Sequence, residues 1–285
     1  MGNILIIGCT GNIGTLVFNE LIKGGHNVAC VKRASNTETG PQIILHRGVT
    51  NVRNFEPKII INLANYYSPD QKADFSRMKD STLGVASAIA NQNVQWKAKI
   101  IHTSSYFQYC PIEMRPWSKY ADFKTKSLVT LEESCKINNV NLINFILYDN
   151  YGGKNKSKFF DLLIKATALG QNLNATLGEQ VLNLINIQNI VSAIIYECND
   201  NAQKNRGQIL NYDLRSDFTR SLLDLDKIVC SVLNSESRVI WGSKSYREKE
   251  VFNLWDQEFD SPVDWAPKDN IYEYITEQAN QYQFF

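Results

Sequence analysis

The stretch from Asn3 to Lys23 constrains the fold more than any other. Asn3-Ile4-Leu5-Ile6-Ile7 is an apolar run of strand length, and Gly8-Cys9-Thr10-Gly11-Asn12-Ile13-Gly14 follows it directly. From Asn12 to Lys23, apolar Ile13, Leu16, Val17 and Leu21 recur on one helical face, and Gly24-Gly25 ends the segment as C-cap glycines do. Strand, glycine turn and helix in this order make an anion-binding corner. The first glycine permits a tight reversal, the second lets backbone approach a pyrophosphate, and the third lets the helix pack close to the sheet. The N–H groups at the helix start complete the cradle. Gly8, Thr10, Gly11, Asn12, Ile13 and Gly14 are therefore the candidate dinucleotide contacts. Their spacing is Gly-x-x-Gly-x-x-Gly, not the Gly-x-Gly-x-x-Gly of the other dinucleotide fingerprint.

The alternation continues. Strand-like Asn27–Val31, Ile43–Leu45, Ile59–Leu63, Lys99–Thr103 and Asn141–Leu147 are interleaved with helix-period segments at 72–92 and 120–137. This rhythm predicts an α/β fold, a Rossmann-like doubly wound parallel sheet with a smaller C-terminal substrate-binding lobe. Residues 1–155 read as the cofactor domain, to which about 180–198 return, and 156–285 as mostly the lobe. The lobe's helices read at 159–169, 221–234 and 270–281.

Composition excludes several alternatives. With 285 residues, 44% of them hydrophobic, the chain has ample material for a core. Thirty basic against 29 acidic residues leave a net charge of +1, without the asymmetry that draws proteins to nucleic acid or anionic membranes. Its longest apolar runs are far shorter than the roughly 20 residues a bilayer requires. The three histidines are scattered and the six cysteines have no short spacing, so no metal site is expected. A start that reads as a strand rather than a signal peptide predicts a cytoplasmic protein.

At the end of the second strand, an acid would bind the adenosine ribose 2′-OH. Here the strand runs Val28-Ala29-Cys30-Val31-Lys32-Arg33, and the first acid beyond it is Glu38. A cationic pair at that place favours a 2′-phosphate, so Lys32 and Arg33 predict NADP(H) over NAD(H).

Tyr120-Ala121-Asp122-Phe123-Lys124 places Tyr and Lys one helical turn apart on the same face. Upstream, Ile100-Ile101-His102-Thr103-Ser104-Ser105 ends a strand with two hydroxyls at its C-terminal edge, where open α/β sheets bind ligands.

Taken together, these segments resemble the extended short-chain dehydrogenases/reductases of the NAD-dependent epimerase/dehydratase superfamily. The resemblance runs nearly end to end. It takes in the glycine turn, Ile60-Ile61-Asn62-Leu63-Ala64, Ser104-Ser105, Tyr120 with Lys124, Asn150-Tyr151-Gly152-Gly153, Leu184–Val191 and Asp264-Trp265-Ala266-Pro267. Phe55–Asn62 and the 145–191 stretch are most similar to CDP-paratose and CDP-abequose synthases, NADPH-dependent reductases of a 4-keto nucleotide sugar. The resemblance implies Tyr120 as general acid, Lys124 as the cation that lowers its pKa and holds the nicotinamide ribose, and Ser105 as the group polarising the carbonyl. It implies cofactor contacts at Leu63, Ala64, Tyr120 and Lys124, and substrate contacts at Tyr67, Ser105, Tyr106, Asp149, Asn150 and Asn183. It also implies a homodimer formed through the helix that carries Phe123, Leu128, Leu131 and Cys135.

Related dehydratases carry an Asp-Glu pair after the strand-terminal hydroxyl, and 3,5-epimerase/reductases a Cys two residues on. Here Ser105 is followed by Tyr106-Phe107-Gln108-Tyr109. The implied reaction is ketone reduction; a 4-epimerase with tightly held NAD and a non-catalytic NADP-sensing module are the alternatives. Ser81, Leu182-Asn183 and Asn189 depart from the family pattern.

Overall fold

The computed structural model describes residues 2–32, 42–45, 48–49, 55–66, 74–154, 156, 158–199, 206–255, 259–262, 265–268 and 270–283. The chain begins with β1 (Asn3–Ile7), α1 (Asn12–Lys23), β2 (Asn27–Lys32), β3 (Gln42–Leu45), β4 (Gly48–Val49) and β5 (Ile59–Asn62). Then come α2 (Phe75–Lys79), α3 (Val85–Trp96), β6 (Lys99–Ser105), α4 (Lys119–Asn138), β7 (Leu142–Leu147) and β8 (Asp149–Tyr151). Next are α5 (Phe159–Leu169), β9 (Leu173–Asn174), β10 (Val181–Asn186), α6 (Ile187–Asn199) and β11 (Ile209–Leu214). The chain closes with β12 (Thr219–Ser221), α7 (Leu222–Leu233), β13 (Val239–Ile240) and α8 (Ile271–Gln283).

The main sheet has the order β11-β7-β6-β5-β1-β2-β3-β4. From β7 to β2 every neighbouring pair is parallel. Strands buried on both faces need continuous apolar sequence, and Ile4, Leu5, Ile6, Ile60, Ile61, Ile100 and Ile101 are all buried. The chain leaves β1 for β2 on one side and returns to β5 on the other. That reversal puts a topological switch point at the C-terminal ends of β1 and β5, where open α/β sheets bind ligands.

At the far edge the direction changes. β3 runs antiparallel to β2, and β4 antiparallel to β3. Residues 33–41 are too few for the crossover that a parallel partner needs.

The helix anticipated at 72–92 continues to Trp96. Within the described residues it starts after Asp74, whose carboxylate accepts the Arg77 N–H at 2.9 Å. A π-helical turn at Asp80–Gly84 joins α2 to α3. There the Ser81 and Thr82 hydroxyls both donate to the Met78 carbonyl, at 3.2 and 2.6 Å, the side-chain-to-backbone bonding that distorts a helical ladder.

Two compact units divide the chain: residues 1–147, 191–213 and 257–262, and residues 148–190, 214–256 and 263–285. In the first, Leu128, Leu131 and Cys135 of α4 pack with Ile89, Ile60, Ile100 and Leu142. Those three residues therefore face the sheet, not a partner. The outward apolar side chains of α4 are Val129 and Ile137. In the second unit β10 lies between β8 (parallel) and β12 (antiparallel), and α5, α7 and α8 share a core that includes Phe160, Leu163, Leu225 and Ile275. Among the described residues, no helix is long and apolar enough to cross a membrane.

Candidate active site

The glycine turn sits at the switch point. Gly8 has φ +89°, and a Cβ there would lie 2.7 Å from the Leu63 carbonyl carbon and 2.8 Å from the Ala64 nitrogen. Only glycine fits, because the left-handed backbone and the neighbouring loop both exclude a side chain. A Cβ on Gly14 would run into the Gly8 carbonyl oxygen, so that glycine lets α1 start flush against the turn. Thr10 and Gly11 are exposed, and Asn12 and Ile13 half-buried. Gly11 caps α1 without a side-chain hydrogen bond, and the first turn carries no acid. The N–H groups of that turn, with the positive end of the helix dipole, form an anion cradle. The residues present fit a dinucleotide pyrophosphate. Arg33 lies outside the described residues, as does the side chain of Lys32.

Ser105 is the last residue of β6 and caps the following 3-10 turn, Tyr106–Tyr109. Its Oγ accepts the Phe107 N–H at 3.4 Å, while its own N–H donates to Gln108 Oε1 at 2.9 Å. This reciprocal box fixes the serine at the strand edge. Tyr106 is buried and stacks on Phe107 with ring centroids 4.3 Å apart.

The helix of Tyr120 and Lys124 starts at Ser118, whose Oγ accepts the Ala121 N–H at 3.2 Å. Tyr120 is 9% exposed, and its Oη accepts a hydrogen bond from Asn65 Nδ2 at 3.1 Å. Lys124 is 2% exposed and donates from Nζ to the Thr103 carbonyl at 2.8 Å. Burial pushes its pKa down to about 8. Tyr120 is thus tied to the loop after β5, and Lys124 to the strand that ends in Ser105.

Two buried residues behind this site were not singled out by spacing. Asn62 and His102 pair in register on β5 and β6. Asn62 Nδ2 lies 3.1 Å from His102 Nδ1, and Asn62 Oδ1 accepts the Ala64 N–H at 3.2 Å. Burial, then the Lys124 charge, holds the His102 pKa well below its usual range, so the ring is neutral. Asn65 carries no spacing signal of its own; its place next to Leu63-Ala64 is the available one.

The remaining expected substrate contacts belong to the second unit, except Tyr67, which lies outside the described residues. Asp149 and Asn150 are half-buried on β8. Burial raises the Asp149 carboxyl, against the charge of Lys158; Lys158 Nζ donates to the Asn150 carbonyl at 2.9 Å. Asn183 is fully buried, and its amide is spent within the unit. Its Nδ2 donates to the Ser216 carbonyl at 2.7 Å and to Thr219 Oγ1 at 2.8 Å, and its Oδ1 accepts the Ser216 N–H at 3.0 Å. That arrangement holds a turn and leaves no donor for a substrate. Among the described residues, no cluster of His, Cys, Asp and Glu could hold a metal.

Residues 4–212 match the model of the NAD dependent epimerase/dehydratase family. The chain belongs to that family. It is 25% identical to CDP-abequose synthase of Yersinia pseudotuberculosis, with 98% of this chain and 99% of that protein aligned. Among solved structures, UDP-glucuronic acid 4-epimerase from Bacillus cereus, in complex with UDP-glucuronic acid and NAD, superposes with a TM-score of 0.77 at 15% identity, covering 99% and 100% of the two chains. UDP-N-acetylglucosamine 4-epimerase from Methanobrevibacter ruminantium gives 0.76 at 17% identity, covering 99% and 98%. These two likenesses establish the extended dehydrogenase/reductase fold. The family's segments also meet in space: Trp265 Nε1 donates to the Asn189 carbonyl at 3.3 Å, and Asn189 Oδ1 accepts the Lys268 N–H at 3.0 Å.

Proposed function

We propose that the protein is an NADPH-dependent reductase of the 4-keto group of a nucleotide-activated 6-deoxy- or 3,6-dideoxysugar, serving surface-polysaccharide (O-antigen type) synthesis. The observation that carries this reading is the company Ser105 keeps. Tyr120, Lys124 and Ser105 stand at one end of the sheet, while the turn after Ser105 carries stacked aromatics and Gln108 instead of an acid or a thiol. That set can deliver one proton to a ketone oxygen. It offers no second group to take a proton from carbon, which dehydration or epimerisation at C3 or C5 requires.

When bound, the reduced nicotinamide supplies the hydride. Everything else falls to this chain. Ser105 Oγ hydrogen-bonds the carbonyl oxygen and favours the charge that develops on it. Tyr120 gives its phenolic proton to the same oxygen, help worth about 10²–10⁴ in rate. A free phenol titrates near 10, and the Lys124 cation one turn away favours the phenolate, making Tyr120 a stronger acid near neutrality. Lys124 would also hold the nicotinamide ribose hydroxyls, and Leu63 and Ala64 would border the dinucleotide.

NADP(H) is favoured over NAD(H) by the sequence at the end of β2, Lys32-Arg33 with no acid before Glu38. The similarity to CDP-abequose synthase supports the sugar class, with Asp149 and Asn150 as substrate contacts. We further infer a homodimer, supported by exposed Val94, Val129 and Ile137 on α3 and α4, and a cytoplasmic location, with which six free thiols accord.

The test is a panel of 4-keto nucleotide sugars assayed with NADPH and NADH, with the C4 configuration of the product determined. NADPH oxidation that requires the keto sugar supports the proposal. Interconversion of 4-hydroxy sugars with no net use of dinucleotide would replace it with a 4-epimerase.

A further inference from the structure

Asn62 and His102 are 2% and 1% exposed, and their side chains are paired across β5 and β6. The direction of that bond follows from elementary bookkeeping. Asn62 Oδ1 already accepts the Ala64 N–H at 3.2 Å, so the amide face turned to the imidazole is Nδ2, which can only donate. His102 Nδ1 must therefore accept, and the neutral ring carries its proton on Nε2. That Nε2 meets no hydrogen-bond partner among the described residues. A buried polar atom without a partner costs stability, so what the ring contributes here is position.

The next link shows what it positions. The Ala64 N–H that Asn62 holds belongs to the backbone packed against Gly8, within 2.8 Å of where a Cβ would stand. His102 is also the neighbour of Thr103, whose carbonyl holds Lys124. The His102–Asn62 pair thus joins the catalytic strand to the wall of the glycine turn.

We propose that His102 is a positioning residue for the dinucleotide: through Asn62 it fixes the Leu63–Ala64 backbone against Gly8 and so sets the fit of the cofactor turn. This rests on the dinucleotide reading above and adds to it a residue that touches neither cofactor nor substrate. The bond that matters is the one Asn62 donates, so any acceptor at the same reach serves. An apolar ring of similar size does not.

The test measures NADPH and NADH dissociation constants on the full chain, by protein fluorescence, beside thermal midpoints. The proteins are the wild type, His102→Phe, His102→Gln, Asn62→Leu and the double variant Asn62→Leu/His102→Phe. His102→Phe weakens binding by about tenfold, the order that one charge-free buried hydrogen bond is worth, and its midpoint falls because the Asn62 donor is left without an acceptor. His102→Gln restores binding, because Oε1 accepts the same N–H. In the Asn62→Leu background, His102→Phe has no further effect. Wild-type affinity in His102→Phe, a Gln variant as weak as Phe, or losses that multiply in the double variant would overturn the assignment. A wild-type protein that binds neither dinucleotide would overturn the functional reading itself.

Discussion

Lys124 concentrates the tension between stability and chemistry at the scale of single residues. Its ammonium titrates near 8 in the fold against 10.5 in the free side chain. Between those values the unfolded chain binds more protons than the folded one, so stability rises with pH across that window. Below about pH 8 the buried charge costs about 3 kcal/mol. Lys124→Met therefore raises the thermal midpoint at neutral pH by several degrees while abolishing turnover, which calorimetry and a rate assay check together. Tyr120→Phe leaves the fold intact and lowers turnover by about 10²–10⁴; undiminished turnover would sink the proposed proton donor. Tyr120, Lys124 and Ser105 were legible because their spacing along one helix and one strand is local. The bonds Asn62–His102 and Asn65–Tyr120 join residues 40 and 55 positions apart; the register of β5 with β6 brings the first pair together, and the second joins the loop after β5 to α4.

Elements were legible where pattern and punctuation agree. α1 spans Asn12–Lys23, as the apolar face and Gly24-Gly25 indicate, and α5 spans Phe159–Leu169. The direction of β3 was hidden, because strand pairing depends on connection length and not on the strand's own residues. The π turn at Asp80–Gly84 was hidden too: one extra residue per turn barely alters an apolar repeat. The tightest element junction is that of the turn with α1. Gly14→Ala forces the new Cβ into the Gly8 carbonyl, so it weakens dinucleotide binding more than tenfold and costs about 1–3 kcal/mol. Titration with NADPH and urea unfolding measure the two effects; unchanged affinity would show that the turn does not cradle the dinucleotide.

For the whole molecule, a net charge of +1 carries no general attraction for anions, so binding of an anionic dinucleotide is expected to depend on the glycine-turn corner. The two units interleave along the sequence, with Val191–Asp213 belonging to the first, because α/β sheets are completed by whatever strand reaches their edge. The exposed apolar residues of α3 and α4 predict a dimer in sedimentation experiments, and Val129→Asp dissociates it. The substrate class is tested at this scale as well. The most direct test supplies NADPH deuterated at the transferring position with a CDP-4-keto-deoxysugar and follows the product by NMR. One deuterium is expected at C4 for each NADPH consumed. Product lacking deuterium at C4, or sugar converted without NADPH consumption, would contradict it.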